Sequence, residues 1–205
     1  MDDIEKLLND VRNGDVSVED AVLRLRQEPF IDIDYAKVDT HRKIRKGNSE
    51  VIYGEGKTSG QIKGIVTAML ENGNEKILIT RLSSEKADAL KDIQNFEYHE
   101  MARIGIVGDV SVEDAVGSIL VITAGTSDIP VAEEAAVTAM FLGNRVTRVY
   151  DAGVAGIHRL LAHSDEIMKA KVIIVIAGME GALASVVGGL ASCPVRSEEH
   201  TSELQ

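Results

Sequence analysis

The chain has 205 residues, 44% of them hydrophobic, with three Phe, four Tyr and no Trp, so its core is built from Ala, Val, Ile and Leu and suits one sizeable domain or two small ones. A formal net charge of −11 excludes a general nucleic-acid binder, and the single cysteine, Cys193, excludes a disulfide framework. No apolar run approaches the ~20 residues that cross a bilayer, and Met1-Asp2-Asp3 leads from acid straight into a helix pattern, which predicts a cytoplasmic chain without a leader peptide or membrane partner.

Residues 2–27 predict two short helices. Ile4, Leu7, Leu8 and Val11 give the first its apolar face. In the second, Ser17 stands at an N-cap position with Asp20 three residues on, and Val18, Ala21, Val22 and Leu25 form the stripe. The nonapeptide Gly-Asp-Val-Ser-Val-Glu-Asp-Ala-Val occurs at Gly14–Val22 and again at Gly108–Val116. Two copies do not make a solenoid, and the second reads as a short helix or a linker. His41-Arg42-Lys43-Ile44-Arg45-Lys46-Gly47 is a basic cluster in an acidic chain; it fits either an anionic ligand or a solvated face. Strand patterns at Val51–Tyr53, Lys76–Ile79 and Arg103–Val107, with a helix from Ser59 to Leu70, make residues 1–110 a small N-terminal α+β domain. Its glycine-rich loop, Gly54-Glu55-Gly56-Lys57-Thr58, lacks the Walker spacing. Lys57 there either reaches a phosphate or carboxylate or is an ordinary surface lysine.

From Ser118 strands and helices alternate strictly. Strands are expected at 118–124, 145–150 and 172–177, helices at 130–143, about 154–168 and 181–190, and Cys193-Pro194-Val195 reads as the entry to a fourth strand in which the sheet is expected to be truncated. Continuous apolar strands between helices predict a doubly wound parallel sheet of three layers over 118–195. Ligands bind such sheets at the carboxyl ends of the strands, where three polar, glycine-bearing turns fall: Gly125–Asp128, Asp151–Arg159 and Gly178–Gly181. The first turn ends at Pro130, which suits a first helical turn, and it offers hydroxyls, a carboxylate and free N–H groups at a helix N-terminus.

Three strings in those turns, Ala124-Gly125-Thr126-Ser127-Asp128, Gly153-Val154-Ala155-Gly156-Ile157-His158-Arg159 and Ala177-Gly178-Met179-Glu180-Gly181-Ala182, resemble the aminoimidazole ribonucleotide carboxylase/mutase (PurE) superfamily. Val121–Glu134 with Tyr150–Leu161, and in the front half Asp39-Thr40-His41-Arg42 and Glu50–Thr58, resemble more specifically the LarB family of nickel-pincer nucleotide cofactor biosynthesis. The resemblance implies a PurE-like, flavodoxin-like fold. It also implies carboxylation of the pyridinium ring of nicotinic acid adenine dinucleotide with CO2 or bicarbonate. Hydrolysis of the phosphoanhydride then releases AMP and pyridinium-3,5-biscarboxylic acid mononucleotide. On this likeness Glu180 is the base that removes the ring proton, with His158 and Asp128 as further catalytic candidates. Gly125, Thr126, Ser127, Arg159, Gly178, Met179 and Gly181 hold the substrate, and His41, Arg42 and Lys57 reach the dinucleotide's second half. The likeness further implies a homo-oligomer, an octamer in the superfamily, with no covalently bound cofactor; Mg2+ fits the anhydride step, although no ligand cluster demands it, and nothing resembles a nickel site.

Each of these residues has a plainer reading. Asp128 caps its helix, Ser127 satisfies the turn, His158 is a surface histidine, and Glu180 is a first-turn acid favoured by the dipole. Two other functions compete: a purine-pathway carboxylase or mutase, and a nucleotide-binding module without catalysis. The family's chemistry also uses a cysteine that attacks the pyridinium ring. Cys193, before Pro194 at a strand entrance, reads as a core residue, so the attacking cysteine is expected in a later segment and the chain as written is expected to be an inactive fragment. Residues 196–205, Arg-Ser-Glu-Glu-His-Thr-Ser-Glu-Leu-Gln, match codon by codon a common short-read sequencing adapter. That leaves Val195 as the last residue expected to be authentic.

Overall fold

A computed structural model describes residues 3–27, 30–39, 50–178 and 181–198. The chain divides into two compact units, one of Met1–Glu50 with Gly64–Asn74, the other of Val51–Lys63 with Glu75–Gln205.

In the first unit, helices α1 (Asp3–Asn13) and α2 (Val18–Gln27) precede an antiparallel pair, β1 (Phe30–Asp32) and β2 (Lys37–Asp39), with Ile31 opposite Val38. Ser17 accepts the Asp20 N–H at 3.0 Å, the cap expected for α2. The second nonapeptide copy takes no helix: Val110–Val116 is irregular, with one turn at Glu113–Asp114. The difference lies downstream. The first copy continues into Leu23-Arg24-Leu25-Arg26, good helix formers that repay nucleation, whereas the second meets Gly117 and then a strand.

The second unit holds two sheets. A mixed sheet has the order β3 (Val51–Tyr53), β4 (Ile77–Thr80), β6 (Ile104–Val107), β5 (Phe96–His99), with β3 and β4 parallel and the other pairs antiparallel. Helix α3 (Ser59–Glu71) follows β3, and the short α4 (Ser84–Asp88) lies between β4 and β5. The second sheet is parallel throughout, with the order β10 (Val195–Glu198), β9 (Val172–Ile176), β7 (Ser118–Thr123), β8 (Arg145–Val149). The chain steps from β7 to β8 on one side, then crosses back to β9 on the other, the flavodoxin-like order with its switch point between β7 and β9.

Alternation of side chains along these strands builds a core on each face. Val121 and Ile176 pack with Ala132 and Ala136 of α5 (Ile129–Phe141). Leu120, Ile122, Ile173 and Val175 pack with Leu160 of α6 (Ile157–Leu161), Ile167 of α7 (Ser164–Lys169), and Leu183 and Val187 of α8 (Ala182–Leu190). That is the doubly wound, three-layer architecture expected. Where one helix was expected over about 154–168, a 3-10 turn at Val154–Gly156 leads into α6, and the backbone breaks at Ala162–His163 before α7. The strand expected at Val195 pairs with β9 as far as Glu198, and the Ser197 hydroxyl is buried there without a hydrogen-bond partner among the described residues.

The other side of α5 faces the mixed sheet. Val137 is buried with Leu78, Ala102, Ile104 and Ile106, and Phe141 packs against them. An ion pair from Arg81, just past β4, to Glu134 on α5 (2.9 Å) reinforces that contact.

Candidate functional site

A cavity of about 450 Å³ opens at the carboxyl ends of β7, β8 and β9. Its volume falls in the range of small-molecule sites, and its place beside the strand-order switch is where open α/β sheets hold ligands. Its lining includes Gly125, Ser127 and Asp128 after β7, Asp151, Gly153 and Arg159 after β8, and Gly178 and Gly181 after β9. All three turns singled out in the sequence therefore meet in one cavity.

Asp128 joins two of them. Its side chain is 5% exposed, Oδ2 accepts the Gly125 N–H at 2.9 Å, and Oδ1 accepts the Gly178 N–H at 3.2 Å across 50 residues of chain. The plainer reading, a cap on α5, is corrected in part, since no side-chain bond caps that helix. The carboxylate instead closes the 3-10 turn Thr126–Asp128 onto Gly125 and ties the β7 turn to the β9 turn. Ser127, exposed on the cavity wall, has its hydroxyl at the start of the same helix.

The β8 turn is locked to β7. Thr123, fully buried, accepts the Asp151 N–H through Oγ1 (3.0 Å) and the Ala152 N–H through its carbonyl (2.9 Å). Asp151 has φ 58°, the left-handed region that Asn, Asp and Gly tolerate best. Gly153 follows, where a Cβ would lie 2.7 Å from the Ala124 carbonyl oxygen, so only glycine lets the two turns approach this closely. Arg159 then reaches back, its Nη1 2.6 Å from Asp151 Oδ2. A Cβ on Gly156 would meet Arg159 Nε at 2.8 Å, so the guanidinium occupies space that a side chain there would fill.

The other sequence candidates fall elsewhere. Thr126 and His158 are exposed and outside the cavity lining, though their chain neighbours form it. Lys57 also stands outside the lining; its Nζ donates to the Tyr53 carbonyl at 3.2 Å. In the same glycine-rich loop the Tyr53 hydroxyl donates to Glu55, which holds that carboxyl below its ordinary range. His41, Arg42, Met179 and Glu180 lie outside the described residues, as does the basic cluster 41–47. Asp151 was not singled out in the sequence. Its signal was there, an acid directly after the β8 strand at the carboxyl edge. Among the described residues no three His, Cys, Asp or Glu side chains gather to hold a metal ion, and no helix is long and apolar enough to cross a membrane.

Residues 30–109 match the model of the LarB/PurE-like N-terminal domain. An uncharacterized protein of Methanocaldococcus jannaschii is 34% identical over 204 residues, an alignment covering 94% of this chain and 78% of that protein. The chain carries a LarB/PurE-like N-terminal domain and belongs to the same family as this archaeal protein. The matched domain takes in the β1–β2 pair and the whole mixed sheet, while the archaeal alignment extends over the parallel sheet as well. The cavity therefore belongs to the parallel sheet that follows the matched domain.

Proposed function

We propose that the cavity binds the pyridinium mononucleotide half of nicotinic acid adenine dinucleotide, and that the protein carboxylates its ring with CO2 or bicarbonate and hydrolyses its anhydride, releasing AMP. The observation that carries this reading is the meeting of Arg159 and Ser127, the latter in the 3-10 turn that leads into α5, in one cavity at the carboxyl edge of a PurE-like sheet. Arg159 takes a phosphate through its planar fork. The Ser127 hydroxyl takes a ribose hydroxyl or a phosphate oxygen. Asp128 serves by fixing the Gly125 and Gly178 turns around the ligand.

Glu180 is assigned as the base for the ring proton. Its support is position: it lies between Gly178 and Gly181, which both line the cavity. Cys193 packs against the apolar core beside β10 and is left out of the chemistry. Homo-oligomeric assembly is part of the reading and is supported by Ile157 and Leu161, one turn apart on α6 and both exposed.

Titration calorimetry with nicotinic acid adenine dinucleotide tests the substrate on this chain. Saturable binding that Arg159→Gln weakens is expected, and no binding overturns the proposal. The reaction is tested on the product of the locus, defined by a long read across codon 195, by following AMP release and incorporation of labelled bicarbonate into the mononucleotide. AMP without label, or neither, excludes ring carboxylation.

A further inference from the structure

The charged side chains lining the cavity among the described residues are Asp128, Asp151 and Arg159, two carboxylates against one guanidinium. That is an unexpected balance for a pocket meant to hold phosphate. Asp128 is buried, with its oxygens on two backbone N–H groups. Asp151 is different: its side chain is 49% exposed, and it sits 2.6 Å from Arg159 Nη1.

The backbone places the two partners side by side. Thr123 Oγ1 holds the Asp151 N–H at 3.0 Å in a left-handed backbone, and the Arg159 guanidinium fills the space left by the absent side chain of Gly156. With Asp151 in the place seen here, an anion that binds Arg159 shares the guanidinium with a carboxylate already on it. The planar fork then sets the two anions about 5 Å apart.

We infer that Asp151 is a specificity-determining residue, a fixed negative charge that makes the cavity favour a phosphorus bearing one charge, as in a diester or anhydride, over a phosphomonoester bearing nearly two. This rests on the assignment of phosphate to Arg159 under Proposed function. A phosphomonoester carries about −1.5 to −2 at neutral pH. Its extra charge of about 0.5–1, facing Asp151 at about 5 Å in a half-exposed, water-like setting, weakens binding about 2- to 4-fold. An anhydride substrate is thereby held in preference to the phosphomonoester left after its cleavage, so the same carboxylate favours release of the product.

The test compares two ligands differing in that one charge, nicotinic acid mononucleotide and the methyl ester of its phosphate. Their affinities for the full chain are measured by calorimetry at neutral pH. The wild type should bind the ester about 2- to 4-fold more tightly. Asp151→Asn keeps a residue at home in the left-handed region and should erase or reverse the preference, while Arg159→Gln weakens both ligands. A merely structural role for Asp151 would change both affinities together and leave their ratio intact, and that result overturns the inference. So does a wild type that prefers the monoester. If the wild type binds neither ligand, the phosphate assignment itself fails and the inference falls with it.

Discussion

Asp128 offers the most direct check on how this site is built. Asp128→Ala removes two charge-assisted hydrogen bonds, from Gly125 at 2.9 Å and Gly178 at 3.2 Å, and leaves both N–H groups at the cavity wall without that partner. Hydrogen bonds to a charged group contribute about 1.5–3 kcal/mol each, and a buried unsatisfied donor costs about 1–3 kcal/mol. Because some of that loss is recovered by water or by relaxation of the turns, the expected destabilisation is about 3–5 kcal/mol. Asp128→Asn discriminates better. Its oxygen still accepts one N–H, but its amide nitrogen, a donor, is turned against the other. A loss of about 2–3 kcal/mol is expected, from one bond and a donor–donor contact. Denaturant unfolding gives the totals, and amide exchange gives the location: Gly125 and Gly178 should exchange faster than their neighbours in β7 and β9. If both variants stay within about 1 kcal/mol of wild type, the two bonds do not hold the turns together, and the role given to Asp128 is wrong.

Gly153→Ala would place a methyl 2.7 Å from the Ala124 carbonyl oxygen, and overpacking against backbone costs about 1–3 kcal/mol; ligand affinity should fall along with stability, and an unchanged affinity would mean the turns need not approach so closely. Glu133 accepts a bidentate pair from Arg148 (2.9 and 3.3 Å) and the Tyr150 hydroxyl, stapling α5 to β8; Glu133→Ala should cost about 1–2 kcal/mol in denaturant unfolding. Burial, and then the bond to Glu133, push the Tyr150 hydroxyl well above its ordinary 10.0. The folded state thus retains that proton after the unfolded chain has lost it, so this contribution is complete below pH about 10 and fades as pH rises further. Thermal melts of Tyr150→Phe above that pH should fall less steeply than wild type, and identical slopes would refute the coupling. Arg159→Lys keeps the charge but not the fork, and should still lose about tenfold in affinity for a phosphate-bearing ligand if recognition is bidentate.

The parallel sheet was legible because β7 and β9 are unbroken apolar runs, Ile119–Ile122 and Val172–Ile176, which only a strand buried on both faces supports. The rim of glycine turns followed from the same reasoning. Elements decided by context were not legible. Phe96-Glu97-Tyr98-His99 alternates over only four residues, too short a run to decide by itself, and becomes a strand because β6 offers its edge at Ile104–Val107. The repeated nonapeptide is the clearest case, one sequence taking a capped helix at Val18 and irregular backbone after Val110. Within the site, proximity in sequence misled. His158 and Thr126 sit beside cavity residues yet point elsewhere, because a single turn of 3-10 or α-helix rotates neighbours by roughly 100–120°. Asp151 is visible in the sequence as an acid at the carboxyl end of β8, but its pairing with Arg159 depends on a left-handed backbone that no local motif announces.

What unites the site with the sheet of the matched family domain is α5. Its Ala132 and Ala136 let it approach the parallel sheet closely, and its Val137 and Phe141 give it a second apolar face, buried against the mixed sheet. A helix with two buried faces shows little amphipathic pattern, and Ile129–Phe141 reads as a nearly uniform apolar segment interrupted by Glu133 and Glu134. Those two carboxylates mark the borders between faces. Glu133 binds Arg148 and Tyr150 at the parallel sheet, and Glu134 binds Arg81 at the mixed sheet. The helix is thereby fixed in rotation as well as position, and its first residues hold Ser127 and Asp128 at the cavity. A front sheet packed in this way does more than cover the core, since the orientation of the site's helix depends on contacts with both sheets.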